Sequence, residues 1–201
     1  MSSTPYIAYN DLERAEEVVE LANKIDPGHA LYDWDQANIA MKKSNFTKAI
    51  SYYGAAAKKV DLPFFNTHLG WSYYYNGQYK EALTFLHKAY EHSPLPGRIN
   101  VSALSNTYYK MGEHDKANRY LQELLVRQAN GEYNLNLSIA DIYLERNEIQ
   151  KSLNYLEKGL EQKDFAFAVY ISMSPIFTEL ENEPRFQKIL GIIQSPGIQE
   201  K

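Results

Sequence analysis

Residues 63–96 read PFFNTHLGWSYYYNGQYKEALTFLHKAYEHSPLP. Two apolar stretches flank Asn76-Gly77, and a proline follows the second stretch. Glycine readily adopts the left-handed backbone of a tight turn, so Gly77 predicts a turn between two helices. Gly70 and Ala82 are small enough to let the two helix axes approach closely, whereas larger residues would hold them apart. The stretch therefore predicts a pair of antiparallel helices.

The same pattern recurs along the chain. A small residue of the second helix marks each copy, at intervals of 33 to 35 residues: Ala15, Ala49, Ala82, Ala117 and Ser152. The turn recurs at Gly112 and Asn147, and small residues recur at Ser105 and Ala140 of the first helix. A helix pair of this length cannot bury its apolar face alone, so neighbouring pairs must stack into one continuous core.

The repeat resembles the tetratricopeptide repeat, whose pattern of about 34 residues runs Trp-x2-Leu-Gly-x2-Tyr, then Ala, an aromatic residue and Pro. Residues 63–96 match at Leu69-Gly70, Tyr73, Ala82 and Pro94; Asn66 replaces the Trp and Leu86 replaces the second aromatic residue. The resemblance implies an all-α fold, a right-handed α-α superhelix of antiparallel helix pairs. About four to five repeats and a C-terminal capping segment are expected.

The period divides the chain into a single domain over residues 1–194. We expect a partial repeat at 10–29, full repeats at 30–62, 63–97, 98–132 and 133–166, a cap at 167–194, and a disordered tail at 195–201. Tyr6, Asn10 and Leu12 match the end of a first helix that would need about ten more residues upstream. Two interpretations stay open: a piece of a longer protein, or an irregular end to the superhelix.

The C-terminal part departs from the period. Residues 165–173 predict a helix, Ser174-Pro175 predicts a helix start, and Pro184 opens a last short helix. Residues 175–190 resemble a terminal segment of some bacterial proteins that carry tetratricopeptide repeats behind a nucleotide-cyclase, kinase or DNA-binding output domain. The resemblance implies an end cap that covers the last repeat with its apolar side chains: Phe177, Leu180, Phe186, Ile189 and Leu190.

The resemblance also implies a concave groove lined by the first helix of each repeat. The candidate protein- or peptide-binding residues at groove-facing positions are Trp34, Asn38, Met41, Thr67, Trp71, Tyr74, Tyr75, Asn106, Tyr109, Lys110 and Asp141. Leu31, Phe64, Ile99 and Asn134 fall on a further groove position. Rigid aromatic side chains and amides suit recognition of an extended peptide. Trp34 and Trp71 have an alternative role, filling the gap between neighbouring first helices.

Tyrosine is unusually frequent, with 17 residues against 2 tryptophans. Tyr73, Tyr108 and Tyr143 recur where the first helix packs against the second, so they are expected to be core residues whose hydroxyls reach polar partners. The neighbouring Tyr74, Tyr75 and Tyr109 are the candidate ligand contacts.

Several other functions are disfavoured by the residues present. The chain has no cysteine, which removes thiolate metal sites and thiol catalysis, and its net charge of −4 argues against a nucleic-acid-binding face. No histidine pair has metal-ligand spacing, and no phosphate-binding loop or nucleophile elbow occurs. Lys and Arg are missing from the fifth and sixth repeat positions, where co-chaperone repeats hold a C-terminal carboxylate. We therefore predict no enzyme activity, catalytic residue, cofactor or metal. No targeting signal is visible at the start of the sequence, and the longest apolar run, residues 165–171, is far shorter than a membrane span, so no membrane contact and a cytoplasmic location are expected.

The sequence predicts a non-catalytic scaffold that binds a protein or peptide segment in its groove. By the terminal resemblance, it is expected to be the sensor or adaptor region of a larger bacterial signalling or transcription regulator. The alternative is a structural module that forms a homodimer through its truncated first repeat. That repeat would present an apolar helix face comprising Leu12, Val18, Val19 and Leu21.

Overall fold

A computed structural model of the chain describes residues 3, 6–7, 11–162, 171 and 174–193. Nine α-helices follow one another within residues 11–162: α1 Leu12–Ile25, α2 Ala30–Lys42, α3 Phe46–Lys59, α4 Pro63–Tyr75, α5 Tyr79–Glu91, α6 Arg98–Lys110, α7 His114–Ala129, α8 Asn136–Glu145 and α9 Ile149–Glu161. A 3₁₀ helix, Pro175–Leu180, and a last helix, α10 Pro184–Ile193, complete the described part. The helices form a stack of antiparallel pairs, as predicted. We call α2, α4, α6 and α8 the A helices and α3, α5, α7 and α9 the B helices.

The turn inside each pair has a left-handed backbone. Gly77, Gly112 and Asn147 have φ angles of 75°, 78° and 59°, which confirms the prediction from their spacing. Ser44 has a φ angle of 53° at the equivalent position of the first pair. All four pairs therefore turn with one geometry, although a glycine stands at only two of the turns.

The small residues between A and B helices are needed because the helices lie very close together. A Cβ atom added to Gly70 would lie 2.6 Å from Leu86 Cγ on the facing helix. Ala82, Ala117 and Ser152 are fully buried on the B helices. This confirms the role predicted for the small positions: they let the backbones of each pair approach.

The tyrosines that recur on the A helices stack on a second aromatic ring of the paired B helix. The ring centroids are 5.4 Å apart for Tyr73–Phe85, 5.9 Å for Tyr108–Tyr120 and 5.5 Å for Tyr143–Tyr155. Tyr108 is buried, and its hydroxyl lies 2.7 Å from His87 Nε2. Tyr73 and Tyr143 are only half-buried, so the prediction of a core position is confirmed for Tyr108 and wrong in degree for the other two.

The first helix packs on α2 through one face. Ala15 and Val19 of α1 are fully buried, whereas Leu21 and Ile25 are exposed. The expectation that Val19 belongs to an exposed apolar face is therefore wrong: Val19 packs into the cluster that contains Ile39. The exposed apolar part of α1 lies at its C-terminal end.

The C-terminal elements pack on the last helix pair. The 3₁₀ helix contacts α8, and α10 contacts α9. Phe177, Leu180, Phe186 and Ile189 are buried in one cluster with apolar residues of α8 and α9, and Leu190 is half-buried beside it. Apart from the buried Ile171, the helix predicted for residues 165–173 lies outside the described residues, as does the predicted tail at 195–201.

Candidate functional site

The predicted groove residues lie on the A helices, but most of them are not accessible. Seven of the eleven are buried: Asn38, Met41, Thr67, Trp71, Tyr74, Asn106 and Asp141. Trp34, Tyr75 and Tyr109 are half-buried, and only Lys110 is exposed. The described A-helix face is therefore largely filled by side chains, and its exposed apolar part is narrow.

That exposed part lies near the start of α2 and α4, and we call Leu31, Trp34 and Phe64 the aromatic strip. Leu31 is 51% exposed and Phe64 is 44% exposed. The two residues occupy the same repeat position on neighbouring A helices, and the Trp34 ring lies 5.6 Å from the Phe64 ring. The strip is an accessible apolar surface that continues across two repeats.

His68 forms the floor of the aromatic strip. Its ring lies 4.4 Å from the Phe64 ring and 6.2 Å from the Trp34 ring, and its Nδ1 atom is 2.9 Å from the Phe64 carbonyl oxygen. Burial disfavours the charged imidazolium and lowers the pKa of His68 to about 4. At neutral pH the floor of the strip is therefore uncharged.

The aromatic residues further along the A helices contact one another. The ring of Tyr75 lies 5.3 Å from that of Trp71 and 5.0 Å from that of Tyr74. Trp71 is buried and also meets His68 edge-on at 6.2 Å. Trp71 therefore has the packing role that was one of its two predicted alternatives. Its role as a ligand contact stays a prediction.

Residues Ser174–Leu180, which we call the closing segment, lie over this part of the face. The Ser174 and Tyr75 hydroxyls are 2.9 Å apart. Phe177 and Ser174 line a small cavity together with side chains from three A helices: Trp71 of α4, Arg98, Ile99 and Ser102 of α6, and Leu137, Ser138 and Asp141 of α8. The sequence predicts this segment only as part of the end cap. Its contact with the groove could not be predicted from the repeat pattern.

Beneath the closing segment, a charged cluster connects the C-terminal ends of three A helices. The Glu145 carboxylate of α8 accepts a hydrogen bond from the Tyr74 hydroxyl of α4 and pairs with the Lys110 ammonium of α6. The hydrogen bond from Lys110 to Glu145 raises the pKa of Lys110, and burial followed by the Glu145 charge raises that of Tyr74. Tyr74 reaches past α6 to α8, so the A helices converge tightly here.

Asp141 lies one turn before Glu145 and is also buried. The Asn106 amide donates to Asp141 Oδ2 at 3.2 Å, whereas Asp141 Oδ1 has no hydrogen-bond partner among the described residues. Burial, and then the nearby Glu145 charge, raise the pKa of Asp141 to about 7, although Ser102 and Asn106 oppose the rise. The closed part of the groove therefore holds a carboxyl group that ionises only near neutral pH.

The two asparagines that share one repeat position have different surroundings. The Asn38 oxygen accepts a hydrogen bond from the Tyr53 hydroxyl of α3 at 2.5 Å, whereas Asn106 bonds Asp141 of the next A helix. Each amide keeps one buried atom without a partner among the described residues, Asn38 Nδ2 and Asn106 Oδ1. The amide contacts predicted for a bound peptide backbone stay a prediction.

The described residues contain no group of three or more His, Asp or Glu side chains arranged to hold a metal ion. No helix among them is both long enough and apolar enough to cross a membrane.

An α-solenoid of helix pairs with small residues at the crossing and left-handed turns is the architecture of repeat scaffolds. Two sequence profiles of the tetratricopeptide repeat match residues 34–95 and 73–134, which together span half of the chain. The chain belongs to the tetratricopeptide repeat family. Repeats of this family build protein-interaction scaffolds, and the protein is such a scaffold. No curated protein sequence gave a significant match.

Solved structures with the same fold differ widely in sequence. A chain of the APC/C hetero-tetramer Cut9–Hcn1 superposes with a TM-score of 0.61 at 14% identity over 94% of this chain, which spans 41% of that chain. PilW, a widely conserved type IV pilus biogenesis factor, gives 0.59 at 17% identity over 96% of this chain and 95% of its own. PilF of Pseudomonas aeruginosa gives 0.60 at 15% identity, with coverage of 96% and 93%. At these identities the similarity establishes the fold alone.

Proposed function

We propose that the protein binds an extended segment of a partner protein along the A-helix face and that the partner docks on the aromatic strip. The proposal is supported chiefly by the half-exposed Leu31 and Phe64 at equivalent positions beside Trp34. Contiguous exposed apolar side chains mark interaction surfaces, and rigid aromatic residues supply much of the binding energy at interfaces. The function is docking, without a chemical step.

The wider context follows from the terminal resemblance. In this proposal the chain is the sensor or adaptor region of a larger bacterial signalling or transcription regulator, located in the cytoplasm. The support is the pattern of residues 175–190, in which Phe177, Leu180 and Phe186 pack on the last repeat.

The docking surface can be tested with peptides selected from a random library displayed on phage. The selected peptides are titrated against the parent chain, against the double variant Leu31→Ala with Phe64→Ala, and against Val126→Ala, an exposed apolar control on the B helix α7. We expect the double variant to bind at least about tenfold more weakly, because two anchor side chains are lost. The control should bind like the parent. Equal affinity for all three folded proteins would contradict the assignment.

The second candidate is the homodimer through the N-terminal repeat. Leu21 and Ile25 lie one turn apart on α1 and are 44% and 72% exposed, which supports an apolar contact with a second copy. Sedimentation equilibrium over a hundredfold range of concentration tests the idea, with Leu21→Glu and Ile25→Glu as variants. We expect a dimer that these variants dissociate; a monomer at every concentration would exclude it.

A further inference from the structure

A short piece of the chain itself, Ser174 and the 3₁₀ helix Pro175–Leu180, lies against the groove. Ser174 has extended backbone, with φ −84° and ψ 113°, and Pro175 opens the short 3₁₀ helix that follows. The hydroxyl of Ser174 meets that of Tyr75, and Phe177 faces the cavity that Trp71 also lines. The closing segment therefore contacts the face on which the partner segment is proposed to bind.

The closing segment has one buried side and one exposed side. Ser174, Ile176, Phe177 and Leu180 are buried, whereas Thr178 and Glu179 are exposed. A 3₁₀ helix has poorer hydrogen-bond geometry than an α-helix. Its apolar side chains hold the segment in the cluster with the last helix pair, while Ser174 and Phe177 line the groove cavity.

The fit beneath the segment is incomplete. A small cavity remains under Ser174 and Phe177, and Asp141 borders it with a carboxylate oxygen that has no hydrogen-bond partner among the described residues. A buried acceptor without a donor destabilises the arrangement that buries it. The Asp141 carboxyl beside the segment therefore contributes unfavourably to the packed arrangement.

We infer that Ser174–Leu180 is an exchangeable occupant of the groove and that the partner segment competes with it. The partner then carries the same chemistry: a small hydroxyl residue and a proline, followed by an aliphatic and an aromatic residue. This inference rests on the proposed function. A tethered segment acts at a high effective concentration, so the partner needs additional contacts. The aromatic strip supplies them, because Ile99 of the cavity occupies the repeat position of Leu31 and Phe64.

The first experiment measures competition on the full chain. A fluorescent peptide of residues 174–182, SPIFTELEN, is titrated against the parent and against the variants Phe177→Ala, Ser174→Ala and Thr178→Ala. We expect at least about tenfold tighter binding to Phe177→Ala and a few-fold gain for Ser174→Ala, because both weaken only the tethered competitor. Thr178→Ala, changed at an exposed position, should match the parent. Equal affinities in all four, or no binding to any, would overturn the inference.

Ser174→Ala keeps the result interpretable if Phe177→Ala unfolds, since it removes one hydroxyl and leaves the apolar cluster intact. A scrambled peptide serves as the control for nonspecific binding. Its binding should be unaffected by any of the three variants.

The second experiment uses the absence of cysteine from the chain. The thiol of the single variant Ser174→Cys is expected to react at least about tenfold more slowly with a thiol reagent than that of Thr178→Cys. Saturating peptide should then raise the reaction rate of Ser174→Cys. Equal reaction rates for the two thiols would overturn the exchange of the closing segment. A slow rate of Ser174→Cys that saturating peptide leaves unchanged would also overturn it.

The two experiments separate this inference from the proposed function. Selected peptides that bind the aromatic strip without changing the protection of Ser174→Cys would overturn the exchange and leave the proposed function standing. In the double variant Ser174→Cys with Phe177→Ala, the thiol could react rapidly while no peptide binds. That result would overturn the proposed function, and with it the competing partner.

Discussion

The aromatic strip and the part of the groove under the closing segment are built from the same row of A helices. Leu31 and Phe64 are half-exposed at their repeat position, whereas Ile99, at the equivalent position of α6, lines the cavity below Phe177. The floor of the strip is a neutral histidine, His68, whereas Asp141 lines the cavity of the closed part. Equivalent repeat positions therefore acquire different properties from what packs over them.

This difference also gives the two parts opposite responses to pH. The pKa of His68 is lowered, so acid destabilises the fold around the strip, whereas the pKa of Asp141 is raised, so acid favours the closed arrangement. A partner that binds the aromatic strip and displaces the closing segment would therefore depend on the ionisation of both His68 and Asp141.

The largest effect is expected at the contact between α5 and α4, because α4 carries residues of both the aromatic strip and the closed part of the groove. Ala82 of α5 is fully buried against α4, the helix that carries Phe64, Trp71 and Tyr75. Ala82→Glu would bury a carboxylate without a partner and should lower the free energy of unfolding by more than about 4 kcal/mol. Thermal melts and urea titrations measure the loss.

The matched control for that change is Ala82→Ser, because Ser152 stands at the equivalent position of α9 and is fully buried there. A loss of only about 1–2 kcal/mol is expected for the serine. A melting temperature of Ala82→Glu within a few degrees of the parent would contradict the packing described for α4 and α5.

The second prediction concerns the floor of the strip. The pKa of His68 is lowered from 6.5 to about 4, so the unfolded chain binds the proton first as the pH falls. The stability contributed by His68 should be complete above pH 6.5 and should be lost as the pH falls towards 4, by roughly 3 kcal/mol in total. Urea titrations of the parent and of His68→Gln between pH 4.5 and 7.5 measure this contribution as the difference between the two proteins.

His68→Gln should lack the loss of stability that His68 causes in acid, because it removes the titrating group, so its stability relative to the parent should rise as the pH falls. His92→Gln is the matched control: His92 is exposed, and like His68 its Nδ1 atom contacts the carbonyl oxygen four residues earlier, at 2.7 Å. The control should retain the pH dependence of the parent's stability. Identical pH dependences for the parent and His68→Gln would show that His68 is not responsible.

The fold was predictable because it rests on local chemistry repeated at a fixed period: Gly77 for the turn, Gly70 for the close approach and Tyr108 for the A–B contact. The accessibility of the groove was not, because Trp71 and Tyr75 are covered by Ser174, about a hundred residues away in sequence. A contact between the end of the chain and the middle leaves no periodic signal.

The third prediction concerns the closed part. The pKa of Asp141 is raised to about 7, so the closed fold retains its proton when the open or unfolded chain has lost it. Stability from this group is complete below about pH 4 and is lost as the pH rises through 7. Asp141→Asn removes the charge and should raise the free energy of unfolding by roughly 2 kcal/mol at pH 8, with little change at pH 4.

The groups that face Asp141 differ from it in charge or in titration range. Glu145 is paired with Lys110, and Arg98 lines the same cavity. The neighbouring tyrosines, Tyr74 and Tyr75, have raised pKa values. The remaining polar neighbours carry no charge: Ser102, Asn106 and Ser174. Urea titrations of the parent and of Asp141→Asn at pH 4 and 8 test the prediction. A variant less stable than the parent at pH 8 would mean that the ionised carboxylate is favourably bound.

The smallest effect is expected at the anchor of the closing segment. Arg185 of α10 donates to both Glu157 oxygens, at 2.9 and 2.6 Å, and also to Gln150 and Asn154. Lysine has one ammonium group and cannot reproduce this planar set of bonds, so Arg185→Lys should loosen α10. The pair is partly exposed, so the loss should stay below about 1 kcal/mol, or about 2 °C in melting temperature, and should shrink at high salt.

Arg14→Lys is the matched control, because Arg14 makes a single exposed contact with Glu17 at 3.3 Å. If α10 anchors the closing segment, Arg185→Lys should also accelerate thiol labelling of Ser174→Cys, whereas Arg14→Lys should not. An unchanged labelling rate with a lowered melting temperature would mean that α10 stabilises α9 without holding the segment. The boundary between the open and closed parts of the groove would then depend on Phe177 and Leu180 alone.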